Sequence, residues 1–147
     1  MTDFLISPLA AEDIPAAAAL EAECFSRPWS EKTLAGEFAL ENTRFFGAFY
    51  QGRLVGYAGL RFAADEGEIF NIAVERGFRG RGVGRALAEK LAAAALELGL
   101  SCLLLEVRPS NKAALGLYIK AGFAQYALRK NYYSAPTEDA VLMRLEL

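Results

Sequence analysis

A glycine-rich loop over residues 79–85, Arg-Gly-Arg-Gly-Val-Gly-Arg, most constrains what this chain can fold into. It follows an apolar run typical of a strand and precedes a stretch in which apolar residues recur at helical spacing. Alternating glycines let the backbone approach an anion closely, and the N-terminus of a helix presents unpaired N–H groups and a positive dipole end. The loop therefore predicts a pyrophosphate-binding site at the start of a helix.

Other pyrophosphate-binding loops fit this segment less well. A Walker A loop requires Gly-Lys-Ser/Thr, whereas Gly84 is followed by Arg85 and Ala86. A Rossmann fingerprint requires G-x-G-x-x-G, whereas the spacing here is G-x-G-x-G, although Glu106 lies 22 residues after Gly84, near the position of a ribose-binding acid. The chain has too few strand–helix units for a doubly wound dinucleotide fold. A tight turn with solvated arginines remains the structural alternative.

The chain contains no histidine, which limits its chemistry. Ser-His-Asp and Cys-His nucleophilic sites and most zinc sites are excluded, and the commonest general base is absent. The two cysteines, Cys24 and Cys102, are too few for a disulfide framework or a zinc site, and the apolar run around Cys102 indicates a buried thiol. Acid–base chemistry must therefore use carboxylates, tyrosines, lysines or cysteines, and no metal is expected.

Charge is distributed unevenly along the chain. Residues 1–50 hold eight acids and three bases, whereas residues 51–147 hold ten acids and thirteen bases. No dominant basic face is indicated, so a nucleic-acid partner is not expected. Two interpretations remain open: an acidic mouth for a cationic substrate beside a basic cradle for an anionic cofactor, or an ordinary solvated surface.

The sequence predicts a cytoplasmic protein with no membrane partner. No apolar run reaches the roughly 18 residues of a membrane span. The N-terminal residues also lack the basic start and apolar stretch of a signal peptide.

The pattern of apolar residues and breaks predicts one domain over residues 1–147. Strands are expected at residues 4–6, 44–50, 54–62, 68–74, 101–107, 123–130 and 140–147, and a loop at residues 131–139. Helices are expected at residues 11–24, 30–40, 84–98 and 111–121. This order indicates an α/β fold: a mixed, mostly antiparallel sheet of six to seven strands with about four helices on both faces.

Two segments resemble signatures of the GNAT acetyltransferases. Arg79-x-x-Gly82-x-Gly84 resembles the acetyl-CoA loop of that family, and the segment from Asn111 to Phe123 resembles its second signature. The likeness extends to the RimI-type ribosomal-protein-alanine N-acetyltransferases of bacteria through residues 28–32, 70–74, 105–108, 129–133 and 138–140. Gly80 replaces a residue that is frequently polar in the family, with little expected effect because the backbone does the binding.

The resemblance implies direct transfer of acetyl from acetyl-CoA, a co-substrate, to the N-terminal alanine of a small-subunit ribosomal protein. The basic N-terminal segment of such a protein would suit the acidic first third of this chain. A monomer is expected. The resemblance also implies a set of cofactor-binding residues in and around the loop: Ile72, Ala73, Val74, Arg79, Gly80, Arg81, Gly82, Val83, Gly84, Arg85 and Asn111.

Glu106 and Tyr118 are the candidate catalytic residues. Glu106 ends an apolar strand, where a carboxylate is not needed for packing, and the resemblance implies that it accepts the proton of the amine; the alternative is an exposed acid or a partner for Arg108. Tyr118 lies on an apolar helix face typical of a core tyrosine, and the resemblance implies that it is the general acid. Asn111 has two compatible roles, as a helix cap and as a cofactor contact.

Aromatic residues are the candidate walls for the substrate peptide. These are Trp29, Tyr132 and Tyr133, although hydrophobic cover for the sheet would explain them equally well. Adjacent tyrosines in an extended segment point to opposite faces, so at most one of the pair would contact substrate.

Two other functions remain open. The chain could be a GNAT that acetylates a small amine or a lysine side chain, or a non-catalytic regulator that binds acyl-CoA. The presence of both Glu106 and Tyr118 argues against the regulator.

Overall fold

The computed structural model describes residues 4–147, in which seven strands form one sheet and four α-helices pack on its two faces. The strands are β1 Phe4–Pro8, β2 Thr43–Tyr50, β3 Arg53–Ala63, β4 Glu66–Val74, β5 Cys102–Val107, β6 Ala124–Tyr133 and β7 Glu138–Glu146. The helices are α1 Ile14–Cys24, α2 Glu31–Phe38, α3 Val83–Glu97 and α4 Lys112–Lys120. The spatial order is β1-β2-β3-β4-β5-β7-β6, with β4 and β5 parallel and the other neighbours antiparallel. The predicted fold class is confirmed.

Local signals in the sequence account for several element boundaries. Pro15 lies in the first turn of α1, where its missing N–H costs no hydrogen bond. The side chain of Ser30 accepts a hydrogen bond of 3.1 Å from the backbone N–H of Thr33 and so caps α2. Gln51 and Gly52 both have positive φ, which matches the twist of the β2–β3 hairpin.

Each face of the sheet has its own hydrophobic core. Helices α3 and α4 cover one core, in which Leu87 and Leu91 of α3 pack against Leu103 of β5. Helices α1 and α2 cover the other, which includes Leu34 and Phe45. Fully burying a side chain of this size stabilises the fold by roughly 1.5–3 kcal/mol. The two cores hold the helices against opposite faces of the sheet, as the sequence predicts.

The predicted loop at residues 131–139 is too long, because the turn between the two strands covers only residues 134–137. Strand β6 runs through Tyr133, β7 begins at Glu138, and these two residues are paired. The backbone N–H of Asn131 donates a 2.8 Å hydrogen bond to Asp139, and Asn131 has φ of 50° at a shift in register. The polar residues that suggested a loop therefore form a bulge inside a longer hairpin.

Within residues 4–147, no helix is long and apolar enough to cross a membrane. The same part of the chain holds no group of three or more side chains suited to bind a metal ion.

Candidate active site

A groove of about 900 Å³ opens beside the glycine-rich loop, between the end of β4 and the helices α3 and α4. Its walls also include residues from the end of α1. The lining residues are Cys24, Phe25, Ile72, Val74, Phe78, Arg79, Gly80, Gly82, Val83, Gly84, Arg85, Asn111, Lys112, Ala113, Ala114, Gly116, Leu117, Tyr118 and Lys120.

The groove lies where β4 and β5 separate. The two strands pair only through residues 66–68 of β4 and 102–104 of β5. Further along, Ala73 and Val74 pair with β3, whereas Glu106 and Val107 pair with β7. The facing edges of β4 and β5 beyond residue 68 therefore diverge, and backbone groups between them become available to a ligand.

The glycines of the loop have different structural roles. Gly80 and Gly82 have φ of 80° and 84°, a backbone conformation that residues other than glycine rarely adopt. Gly82 is also the N-cap of α3. Gly84 leaves room for a side chain of α4, because a Cβ there would lie 2.5 Å from Cδ1 of Leu117, which would have to shift. The loop thus delivers the positive end of α3 to the groove while keeping α3 close to α4.

The three predicted arginines occupy different positions. Arg79 donates from Nε to the carbonyl of Val74 at 3.1 Å and from a terminal nitrogen to Cys24 Sγ at 3.3 Å. Arg85 lines the groove and pairs with Glu89, one turn along α3, at 3.1 Å. Arg81 is not part of the lining; its guanidinium carbon lies 4.9 Å from the centre of the Phe78 ring.

Asn111 is the N-cap of α4, and its side-chain oxygen accepts a 3.1 Å hydrogen bond from the N–H of Ala114. It also lines the groove, so its role as the helix cap is compatible with the predicted cofactor contact. Of the three β4 residues carried over from the family, Ile72 and Val74 line the groove, whereas the side chain of Ala73 is buried in the core under α1 and α2.

Tyr118 lies on α4, is 6% exposed, and reaches the wall of the groove. Its ring packs edge-on against Phe123 with centroids 5.6 Å apart. Burial, together with the nearby Tyr133, raises the pKa of Tyr118. Its hydroxyl therefore keeps its proton at neutral pH, as a proton donor must.

Glu106 lies on β5, on the other side of the strand separation, with 28% of its side chain exposed. The nearest cation is Arg129 on β6, 3.6 Å away. Hydrogen bonding to Glu106 raises the pKa of Tyr132. One alternative from the sequence was that Glu106 forms an ion pair with Arg108. This alternative is wrong, because Arg108 pairs with Glu138.

Tyr132 and Tyr133 lie together at the end of β6. Their rings meet edge to face with centroids 5.1 Å apart. The two side chains were expected to point to opposite faces of the sheet, and this is wrong, because their rings are in contact. The bulge at Asn131 interrupts the regular strand before them. Burial, followed by the charge of Glu106, raises the pKa of Tyr133 to about 12.

Trp29 follows α1 and packs on Phe70 of β4 with ring centroids 4.9 Å apart. Its backbone N–H donates to Glu21 at 2.9 Å.

Glu21 is 1% exposed and was not singled out from the sequence. The sequence could have indicated its burial, because Glu21 follows Ile14 by seven residues and Ala17 by four. These spacings place all three residues on the buried face of the helix.

Other groove residues were also missed. Lys112, Gly116 and Lys120 recur every four residues along α4, so helical spacing from Lys112, the residue after Asn111, could have identified them. Cys24 and Phe25 approach the groove from a distant part of the chain and carried no sequence signal.

Part of the acidic charge of residues 1–50 is used inside the protein. Glu21 is in the core, Glu37 pairs with Arg61, and Glu23 accepts a 2.7 Å hydrogen bond from the backbone of Arg76. An acidic mouth for substrate stays a prediction for the remaining acids, of which Asp3 lies outside the described residues.

Comparison with known proteins points to one family. The family model that describes the acetyltransferase (GNAT) family matches residues 14–123 of this chain. The chain is 39% identical over 144 residues to the [ribosomal protein bS18]-alanine N-acetyltransferase of Escherichia coli strain K12, covering 97% of each chain. It is 37% identical over 146 residues to the N-alpha-acetyltransferase RimI of Mycobacterium tuberculosis, covering 95% of this chain and 90% of that protein.

A solved structure gives the same result. The crystal structure of the ribosomal-protein-S18-alanine N-acetyltransferase from Escherichia coli superposes with a TM-score of 0.89 at 39% identity, covering 97% of this chain and 93% of that one.

Proposed function

We propose that this chain, which belongs to the GNAT family of acetyltransferases, transfers the acetyl group of acetyl-CoA to the N-terminal alanine of ribosomal protein bS18. The observation that carries the proposal is the separation of β4 from β5 directly beside the glycine-rich loop. Tyr118 lines the groove, whereas Glu106 lies on β5 outside its lining and interacts with Tyr132 and Tyr133, the second of which also influences Tyr118.

The cofactor-binding residues fit an extended anionic thioester. In this proposal the N–H groups of residues 80–84 and the guanidinium of Arg85 hold the pyrophosphate at the N-terminus of α3. The backbone of residues 72–74 holds the pantetheine and acetyl portions. Asn111 contacts the cofactor from the start of α4, and Arg79 and Arg81 add positive charge beside the loop.

The proposed chemistry needs one proton acceptor and one proton donor. An α-amino group has a pKa of about 7.7–8.0, so near neutrality much of it is protonated and cannot attack. Glu106 accepts the amine proton, directly or through water, and the amine nitrogen then forms a bond to the acetyl carbon. As the carbon–sulfur bond of the tetrahedral intermediate breaks, Tyr118 donates its proton to the departing sulfur. The nitrogen also loses its second proton, which passes to water and restores the proton of Tyr118.

The acceptor peptide would lie along an aromatic wall. Trp29, which contacts Glu21 and Phe70, would form one part of this wall, and Tyr132 and Tyr133, beside Glu106, would form another. We further propose that the protein is a single domain, acts as a monomer in the cytoplasm, and has no nucleic-acid or membrane partner.

A peptide assay separates this function from its alternatives. Purified protein is incubated with acetyl-CoA and a peptide that starts with free alanine, and in parallel with an N-blocked peptide that contains lysine. We expect acetyl on the alanine amine only, and Glu106→Gln should lower its rate. Acetylation of the lysine peptide alone would indicate a different acceptor, and acetyl-CoA binding without turnover on either peptide would favour the non-catalytic regulator.

A further inference from the structure

Arg108 joins the turn after β5 to the hairpin between β6 and β7. Its guanidinium donates to the carbonyl of Pro136 at 2.8 Å and to the carbonyl of Ser134 at 2.9 Å. The same group pairs with Glu138 at 3.3 Å. One arginine therefore contacts both ends and the middle of the short segment that connects the two strands.

Glu138 is held from a second direction by Ser110. The backbone N–H and the hydroxyl of Ser110 each donate a 2.8 Å hydrogen bond to its carboxylate. These bonds, together with Arg108, keep the pKa of Glu138 below its usual value, so the carboxylate is ionised at neutral pH. Arg108, Ser110 and Glu138 form a cross-link between two segments that are distant in sequence, which we call the hairpin clamp.

The hairpin clamp acts on the residue that ends β6. The guanidinium carbon of Arg108 lies 4.5 Å from the centre of the Tyr133 ring, and the carbonyl that it binds belongs to the next residue, Ser134. Both the ring and the adjacent backbone are thus fixed by the same side chain.

Tyr133 is close to both candidate catalytic residues. Its ring meets that of Tyr132, the hydrogen-bond partner of Glu106, with centroids 5.1 Å apart, and its phenol contributes to the raised pKa of Tyr118. Its position therefore affects the space in which the acceptor amine would meet the acetyl group.

We propose that Arg108 is a positioning residue that, through the hairpin clamp, holds Tyr133 in place as a wall of the acceptor site. The inference rests on the proposed function, because it takes a peptide amine as the acceptor. Arg108 touches neither substrate in this account and acts through Tyr133.

Steady-state kinetics test the hairpin clamp by comparing the KM for the acceptor peptide with the KM for acetyl-CoA. We expect Arg108→Ala to raise KM for an alanine-starting peptide about tenfold, about 1.4 kcal/mol of lost acceptor binding, while KM for acetyl-CoA stays within about twofold. Arg108→Lys, which keeps the charge but loses the planar fork, should give an intermediate value. Arg144→Ala is the matched control, since Arg144 lies on β7 and pairs with Glu146 and Glu66. An acceptor KM unchanged by Arg108→Ala, or changed equally by Arg144→Ala, would overturn the proposal.

A double-mutant cycle tests whether the effect passes through Tyr133. In a Tyr133→Leu background, Arg108→Ala should change the acceptor KM by less than about threefold, because the group that Arg108 positions is gone. A full tenfold effect in that background would show that Arg108 acts by another route.

Hydrogen exchange tests the clamp without any substrate. Arg108→Ala should speed exchange of backbone amides in residues 131–137 at least tenfold, with no change in β1–β3. Unchanged exchange in the hairpin, or faster exchange throughout the protein, would contradict a local clamp. If the wild-type protein acetylates no peptide, the proposed function fails, whereas this measurement still decides whether the clamp exists.

Discussion

The carboxylate of Glu21 on α1 accepts a hydrogen bond from the phenol of Tyr57 on β3, inside the core beneath α1. It also accepts one from the backbone N–H of Trp29. A buried acid with two donors thus ties together a helix, a strand and the segment that carries a candidate wall of the acceptor site. Removing either donor leaves part of a buried carboxylate without a partner, which is costly.

Tyr57→Phe is expected to lower the free energy of unfolding by about 2 kcal/mol, because it removes one of these donors and leaves the packing of the ring unchanged. Urea denaturation measures the difference. The control is Tyr126→Phe on β6, where the side chain is 54% exposed and no change is expected. Equal stability of the Tyr57→Phe variant and the wild-type protein would contradict this role for Glu21.

The same pair predicts a dependence of stability on pH. Burial raises the pKa of Glu21 above the value of 4.5 of an unfolded chain, so the folded protein holds this proton more tightly than the unfolded one. The resulting contribution to stability is fully present below pH 4.5 and is lost as pH rises through the folded-state pKa. The stability of the wild-type protein relative to Glu21→Gln should therefore decline as pH rises toward neutrality; a difference that is constant with pH would contradict this.

Gly82→Ala is expected to weaken acetyl-CoA binding about tenfold and to lower the free energy of unfolding by about 1 kcal/mol, because φ of 84° is unfavourable for alanine. Calorimetric titration and denaturation measure the two effects. Gly36→Ala in α2 is the matched control, since a Cβ there meets nothing within 4 Å. It should stabilise the helix by about 0.5–1 kcal/mol and leave cofactor binding unchanged. Equal effects of the two changes would remove the special role of the loop conformation.

Arg85→Ala should weaken acetyl-CoA binding about tenfold, because a charge-assisted hydrogen bond to phosphate contributes about 1.5–3 kcal/mol. Arg81→Ala should have a smaller effect, since its guanidinium lies over Phe78 and outside the lining of the groove. The dissociation constants of the two variants, compared at one salt concentration, decide between them. A larger loss from Arg81→Ala would mean that the cofactor follows a different path over the loop.

Tyr118→Phe should lower kcat about 100-fold, because it removes the proposed proton donor while keeping the ring contact with Phe123. KM for acetyl-CoA should stay within about twofold. Since burial raises the pKa of Tyr118 above its ordinary value of 10.0, the wild-type enzyme should lose no activity through ionisation of this residue below pH 10. An unchanged kcat in the variant would exclude Tyr118 as the acid.

Much of the fold was predictable because periodicity and breaks are local signals. The helix predicted after the glycine-rich loop is present as α3, and the strands predicted at residues 44–50 and 54–62 are present as β2 and β3. The strands β6 and β7 were also predicted, but their extension to Tyr133 and Glu138 was not, because that pairing depends on contacts across the hairpin.

The residues of the site also fall into two groups, those predictable from the local sequence and those that depend on distant segments. The glycine-rich loop and Asn111 carry their signals within a few residues, whereas the burial of Glu21 and the hairpin clamp depend on long-range packing. Arg81 lies over Phe78, outside the lining of the groove, and this position depends on packing that the sequence does not show; its role in cofactor binding stays a prediction.

The proposed acetyl transfer is tested by the intact mass of small-subunit ribosomal proteins from cells that express the wild-type protein, the Glu106→Gln variant, or neither. We expect one acetyl group on the N-terminal alanine of bS18 with the wild-type protein, and little or none with the variant or without the enzyme. A bS18 mass that does not depend on the wild-type protein, or an acetyl group located on a lysine, would contradict it.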